Sequence, residues 1–201
     1  MKIIDTNKAV RILLGKLKAF SPTTYYHSIR VSNLCVSFGK TINLGEDDIE
    51  NLQVAGLLHD IGKLNIPDNI LHKPSKLSIG EYQYIKRHPK YGVELLLKAG
   101  VTDLNILNLV LSHHERPDGL GYPNAIKNND ISYLANILVI CDCFDAMSQK
   151  RVYKDIKDLE YIKKELLNNA GKQFDYDLVY LFMLYLDNEL NKNESIKKNV
   201  H

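Results

Sequence analysis

The sequence contains no tryptophan, only three cysteines, and almost no excess of charge of one sign. Its 26 lysines and arginines face 24 acidic residues, a net +2 over 201 residues. That balance gives no electrostatic case for a nucleic-acid polymer as partner. A small charged ligand needs only a few local cations and stays open. The cysteines, Cys35, Cys141 and Cys143, are odd in number and lack a framework spacing, so a reducing cytoplasm is the expected setting. Cys141 and Cys143 are two apart and would point to different faces of a helix, which makes them a poor metal pair. Long hydrophobic runs are missing too. The most apolar stretch, ISYLANILVICDCFDAM, carries Asn136, Asp142 and Asp145, so no membrane span and no membrane partner are expected. The opening MKIIDTNKAVRILLGKLKAF has charges throughout, which fits an amphipathic helix rather than a signal peptide.

What is present is a helical pattern along nearly the whole chain. Val31, Leu34, Cys35 and Phe38 keep the spacing of one helix face, with SPTT as the capping start. Leu52, Ala55, Gly56 and His59 repeat it after the acidic GEDDIE. SIGE at 78–81 is a capping-box pattern, and Pro89 suits the first turn of a helix ending near Gly100. Further helices are expected over about 103–114, 132–148, 157–170 and 176–189. Short loops, no alternation of period two and no internal repeat predict an all-α fold. The expected division is an N-terminal amphipathic helix at 1–20, a main domain at 21–186 and a polar, frayed tail at 187–201. The stripe Val10, Leu13, Leu14, Leu17 on the first helix fits either packing on its own domain or a homodimer contact.

Several ionisable residues fall on apolar stripes. His27 lies four residues before Val31, His59 ends the Leu52 stripe, and Asp142 completes a stripe of Ala135, Leu138 and Val139. An inward carboxylate must find a cation or several donors. Taken singly, each inward residue fits a hydrogen-bonded core group as well as a ligand. Together they read differently, because histidines at 27, 59, 88, 113 and 114 are joined by acids directly beside two of them, Asp60 and Glu115. Imidazole with bridging carboxylate suits Fe, Mn or Zn held between facing helices. His72 and His201 have no such context and are expected to face solvent.

With these residues in place, the chain resembles the HD-GYP family of metal-dependent phosphohydrolases. The blocks that carry the resemblance are HSIRVS (27–32), AGLLHDIGKLNIPDNILHKPSKLSIGE (55–81), HPKYG (88–92), HHERPDGLGYP (113–123), ICDCFDAM (140–147) and QFDYDLVYLF (173–182). The resemblance implies an HD-domain helical bundle with a metal centre and a GYP loop. It also implies cytoplasmic bacterial signalling by hydrolysis of cyclic di-GMP to pGpG, and onward to GMP in many members. Carried over by motif, His27, His59, Asp60 and Asp142 would hold one divalent ion. A second would share Asp60 and take His88, His113 and His114, with Fe or Mn as the metals. Such a pair activates a hydroxide and clamps a phosphodiester for in-line attack.

Asp60 and Lys63 are the implied catalytic residues, Lys63 facing the phosphoryl oxygens. Gly121, Tyr122, Arg151 and Lys154 would meet substrate beside it, with Gly119 and Gly121 letting backbone approach the nucleotide. Glu115 would orient a histidine and Asp118 would tie down the loop. Two positions depart from the family. Thr23 stands where members with a third metal carry Glu, so two ions are expected, and Val152 replaces the Pro of RPY beside Arg151. Other readings are a phosphohydrolase of another cyclic dinucleotide or nucleotide, and a nucleotide-sensing adaptor without turnover. The intact ligand set speaks against the adaptor.

Overall fold

The computed structural model describes residues 8–149 and 159–198. Among them are ten α-helices, two 3₁₀ turns and no strand beyond one isolated bridge between Ala170 and Phe174, as the all-α expectation requires. In chain order the elements are α1 (Lys8–Phe20), α2 (Pro22–Thr41), α3 (Glu46–Leu58), a 3₁₀ turn (Ile61–Asn65), α4 (Asp68–Leu71) and α5 (Ile79–Ile85). They continue with α6 (His88–Lys98), α7 (Leu104–Ser112), a second 3₁₀ turn (Asn128–Asp130), α8 (Tyr133–Ser148), α9 (Leu159–Asn168) and α10 (Tyr176–Lys198).

Local chemistry starts these helices where the sequence signals lie. Ser21 caps α2 by accepting the Thr24 N–H, with Pro22 in the first turn. Ser78 and Glu81 form the reciprocal capping box of α5. Asp103 caps α7 and Ser132 caps α8 in the same way.

Helix α3 runs through the middle and is buried on more than one side. Leu52 and Ala55 join a cluster with Val31, Phe38, Leu138 and Phe182, from α2, α8 and α10. Val54 and Leu58 join a second cluster with Leu17, Ile61, Leu96 and Val110, from α1, the first 3₁₀ turn, α6 and α7. The C-terminal end of α3, where His59 and Asp60 follow, therefore sits at the junction of two cores.

The stripe on α1 is used inside the chain. Val10 and Leu17 are fully buried and Leu14 nearly so, all within the second cluster. The helix expected over 176–189 continues to Lys198, so residues 187–198, expected to fray, extend it. Leu186 is the last buried residue of α10 up to residue 191, and no Gly or Pro follows within the helix to stop it. The helix expected to reach His114 stops at Ser112, with His113 as its C-cap. On a continuing helix, adjacent positions would diverge. The early stop lets His113 and His114 turn the same way, their ring centroids 4.1 Å apart.

Candidate metal centre

Three of the histidines share one local device. His59 Nδ1 donates to the Gly56 carbonyl at 2.8 Å, His88 Nδ1 to Ile85 at 2.8 Å and His113 Nδ1 to Val110 at 2.7 Å. A carbonyl can only accept, so each Nδ1 carries the proton and each Nε2 presents a lone pair. Burial first, and neighbouring imidazoles next for His114, hold the His88 and His114 pKa values down to about 3; His113 is likewise well below its usual value. These rings are neutral at pH 7.

Their lone pairs converge without a proton to share. His88 Nε2 and His113 Nε2 are 3.0 Å apart, and His59 Nε2 is buried with no hydrogen-bond partner. Buried polar atoms rarely stay unsatisfied, and facing lone pairs repel. A cation answers both problems, so the donor set fits a metal. Groups able to share one ion are His27, His59 and Asp142; His59, Asp60 and His113; and His88, His113 and His114.

Asp60 stands between these groups. Its Oδ2 lies 3.5 Å from His59 Nε2 and 2.6 Å from Lys63 Nζ, while its Oδ1 lies 3.4 Å from His88 Nε2. One carboxylate thus addresses two imidazole groups, the arrangement a bridge requires. Burial alone would raise the Asp60 and Asp142 pKa values, but the Lys63 ammonium outweighs it at Asp60 and the His27 hydrogen bond outweighs it at Asp142, so both carboxylates stay ionised. The Asp60 position depends on Gly62. A Cβ there would fall 1.9 Å from the His88 carbonyl oxygen and 2.4 Å from the Gly92 amide, so only glycine lets the first 3₁₀ turn close onto the start of α6.

His27 is held differently. Its Nε2 lies 2.8 Å from Asp142 Oδ1 and its Nδ1 2.7 Å from Asp145 Oδ2. Burial lowers its pKa, yet Asp142, Asp145 and Asp60 together raise it to about 9. Asp145 also takes a two-pronged bond from Arg30, at 2.8 and 3.0 Å. Neither Asp145 nor Arg30 was singled out from the sequence. The signal was there, since Asp145 is one helical turn beyond Asp142 and Arg30 one turn beyond His27.

The loop after His114 corrects one expectation. Glu115 is fully buried, and its carboxylate accepts the Asn124 and Ile126 amides at 2.7 and 3.2 Å. It therefore ties the loop across its base; His59, His88 and His113 are oriented by backbone carbonyls and His27 by Asp145 instead. A Cβ on Gly121 would meet the Arg116 amide at 2.5 Å and Glu115 Cα and the His114 carbonyl at 2.6 Å. Glycine is needed there because the loop packs on its own stem. Gly119 adopts φ +75° against Lys127, so the packing of the loop itself calls for glycine at both positions.

Asp118 accepts from Arg116 and from the Leu120 amide. The Tyr122 ring lies over His114, centroids 4.6 Å apart and planes tilted by 33°. A cavity of about 340 Å³ opens onto this centre, with His27, Asp60, Lys63, His114, Tyr122 and Asp142 on its wall. Gly121 also lines it. A second cavity of about 560 Å³, bounded by Thr23 and Lys73, shares His27, Asp60 and Lys63. His72 is at the surface, paired with Asp68 at 2.8 Å. Arg151, Val152, Lys154 and His201 lie outside the described residues.

The HD domain family model matches residues 11–178. The chain is 37% identical over 176 residues to a 3′3′-cGAMP-specific phosphodiesterase of Vibrio cholerae, covering 87% of this chain and 34% of that protein. It is 39% identical over 141 residues to a cyclic di-GMP phosphodiesterase of Pseudomonas aeruginosa, covering 70% and 34%. The chain thus spans about a third of the length of these curated relatives. An HDG"Y"P protein from Bdellovibrio bacteriovorus shares the fold, with a TM-score of 0.66 at 20% identity, over 90% of this chain and 61% of that one.

Proposed function

The chain belongs to the HD domain family, and on that premise we propose that it is a metal-dependent phosphodiesterase that hydrolyses cyclic di-GMP to pGpG. The observation that carries this reading is the convergence of unsatisfied imidazole lone pairs on Asp60 and Asp142 at the wall of a cavity. His27, His59, Asp60 and Asp142 would hold one divalent cation, and Asp60, His88, His113 and His114 the other, with Fe or Mn suited to these donors. Bound there, the pair would polarise the phosphodiester and supply an activated water.

The protein's own groups do the rest. Lys63, on the cavity wall and 2.6 Å from Asp60, would neutralise charge growing on the phosphoryl oxygens. Asp60 holds that ammonium in place while its other oxygen faces His88. The backbone bonds to Nδ1 keep three rings in one tautomer, so no reorientation is needed when ligand arrives. Tyr122 packs on His114 and walls the centre. Arg151 and Lys154 would add cations for the substrate phosphates.

A mixed cyclic GMP–AMP dinucleotide is the second reading, favoured by the likeness to the Vibrio cholerae enzyme named for it. A cytoplasmic setting goes with such a substrate, and no helix among the described residues is long and apolar enough to cross a membrane. Anaerobic turnover of both dinucleotides with Fe(II) or Mn(II), read by product chromatography, tests the proposal. Linear pGpG formed by the wild type and lost in Asp60→Ala is the expected result; no product from either substrate contradicts it.

A further inference from the structure

A third, shallower cavity of about 270 Å³ borders the GYP loop, walled by Lys86, Arg87, Lys90, Gln83, Tyr122 and Pro123. Three of its six lining residues are cations, in a chain whose net charge is only +2. No ion pair within 4.0 Å joins any of the three to a carboxylate among the described residues; Lys86 and Arg87 instead lie over the Tyr82 and Tyr84 rings, each 5.1 Å from the centroid. The first turn of α6, on which Lys90 lies, contains no acid either. Like charges gathered without a counter-charge repel one another, so the groove gains most from a bound anion.

The groove is continuous with the metal centre. Lys86 lines both cavities. Its ammonium lies 5.2 Å from the Tyr122 ring centroid, and that ring lies 4.6 Å from the His114 ring. Arg87 directly precedes His88 in the chain. A phosphate at the metal centre and another over Lys86 would therefore be separated by little more than the Tyr122 ring. A cyclic dinucleotide carries its second phosphate one nucleotide away from the first.

We propose that Lys86, Arg87 and Lys90 form a subsite for the second, non-reacting phosphate of the dinucleotide, with Tyr122 as the partition between the two phosphates. This rests on the phosphodiesterase reading above. It assigns the GYP loop a measuring role: Glu115 and Gly121 set the Tyr122 partition, and the partition separates reacting from anchoring phosphate. Binding energy from the remote phosphate would then favour dinucleotides over single nucleotides.

The test uses Arg87→Gln combined with Lys90→Gln. Both residues are exposed, and neither is placed among the metal ligands or the lining of the main cavity. Calorimetric titration with the hydrolysis-resistant bisphosphorothioate analogue of cyclic di-GMP, in Mn(II), compares this variant with the wild type. The expected result is about tenfold weaker binding of the analogue, as for loss of charge-assisted phosphate contacts, with GMP affinity unchanged because its one phosphate sits at the centre. Equal affinity of both proteins for the analogue overturns the proposal, as does a parallel loss for GMP. Failure of the phosphodiesterase reading shows separately, as absence of cyclic di-GMP turnover by the wild type.

Discussion

Asp145 Oδ2 sits 2.7 Å from His27 Nδ1, and the same carboxylate is gripped by Arg30. The pair fixes which His27 nitrogen faces the centre and makes that nitrogen more basic. Asp145→Asn keeps the shape but removes the charge. Its expected effect is a 10–100-fold loss of metal affinity, read as a rightward shift when activity is titrated against Mn(II), with most of the rate restored at saturating metal. An unshifted titration would mean that Asp145 is only a packing group.

The raised His27 pKa makes metal binding pH-dependent in a defined direction. With a folded value of about 9 against the usual 6.5, His27 is protonated at pH 7 in the metal-free protein, and a cation must displace that proton. His88 and His114, held near 3, release none. Calorimetry in buffers of different ionisation heat should report about one proton released at pH 7, falling toward none above pH 9. The stabilisation that His27 gives the metal-free fold is complete below about pH 6.5 and is lost as pH rises through 9, so that form should melt at lower temperature in alkali. No proton release at pH 7 would contradict the ion pairs assigned to His27.

Gly121 is a steric requirement of the loop stem. Gly121→Ala places a methyl against the backbone of residues 114–116, which should destabilise by about 1–3 kcal/mol and displace His114 with it. Thermal melting and metal content should fall together. A variant with wild-type melting and wild-type metal content would show that the loop can relax at no cost.

Helix α1 is argued to belong to the core through Leu17, which is fully buried. Leu17→Ala should cost about 2–5 kcal/mol and lower the melting temperature by several degrees. An unchanged melting temperature would place α1 off the domain.

Much of this centre could be read in the sequence because its ligands sit on regular helices. His27, His59 and Asp142 betray themselves by interrupting apolar stripes, and the capping signals at Ser21 and Ser78 mark where helices begin. What escaped were features that depend on where a helix stops or on contacts far apart in the chain. The end of α7 at Ser112 turns His113 and His114 inward together, and no periodicity reports a stop two residues early. Glu115 stands beside a histidine in sequence, yet its bonds reach nine and eleven residues on. Asp145 and His27 are 118 positions apart, so their pairing becomes visible only when α2 and α8 are packed together. The unpaired cations beside Tyr122 are equally silent, since a lysine in sequence carries no sign of whether it has found an acid.

The central claim is that Asp60 joins two cation sites. Elemental analysis of protein loaded anaerobically with Fe(II) or Mn(II) and then desalted tests it most directly. The account predicts about two ions per chain in the wild type, in line with the two-ion clamp of phosphodiester hydrolysis, and at most one in Asp60→Ala. One ion or none in the wild type, or two retained without Asp60, would contradict it.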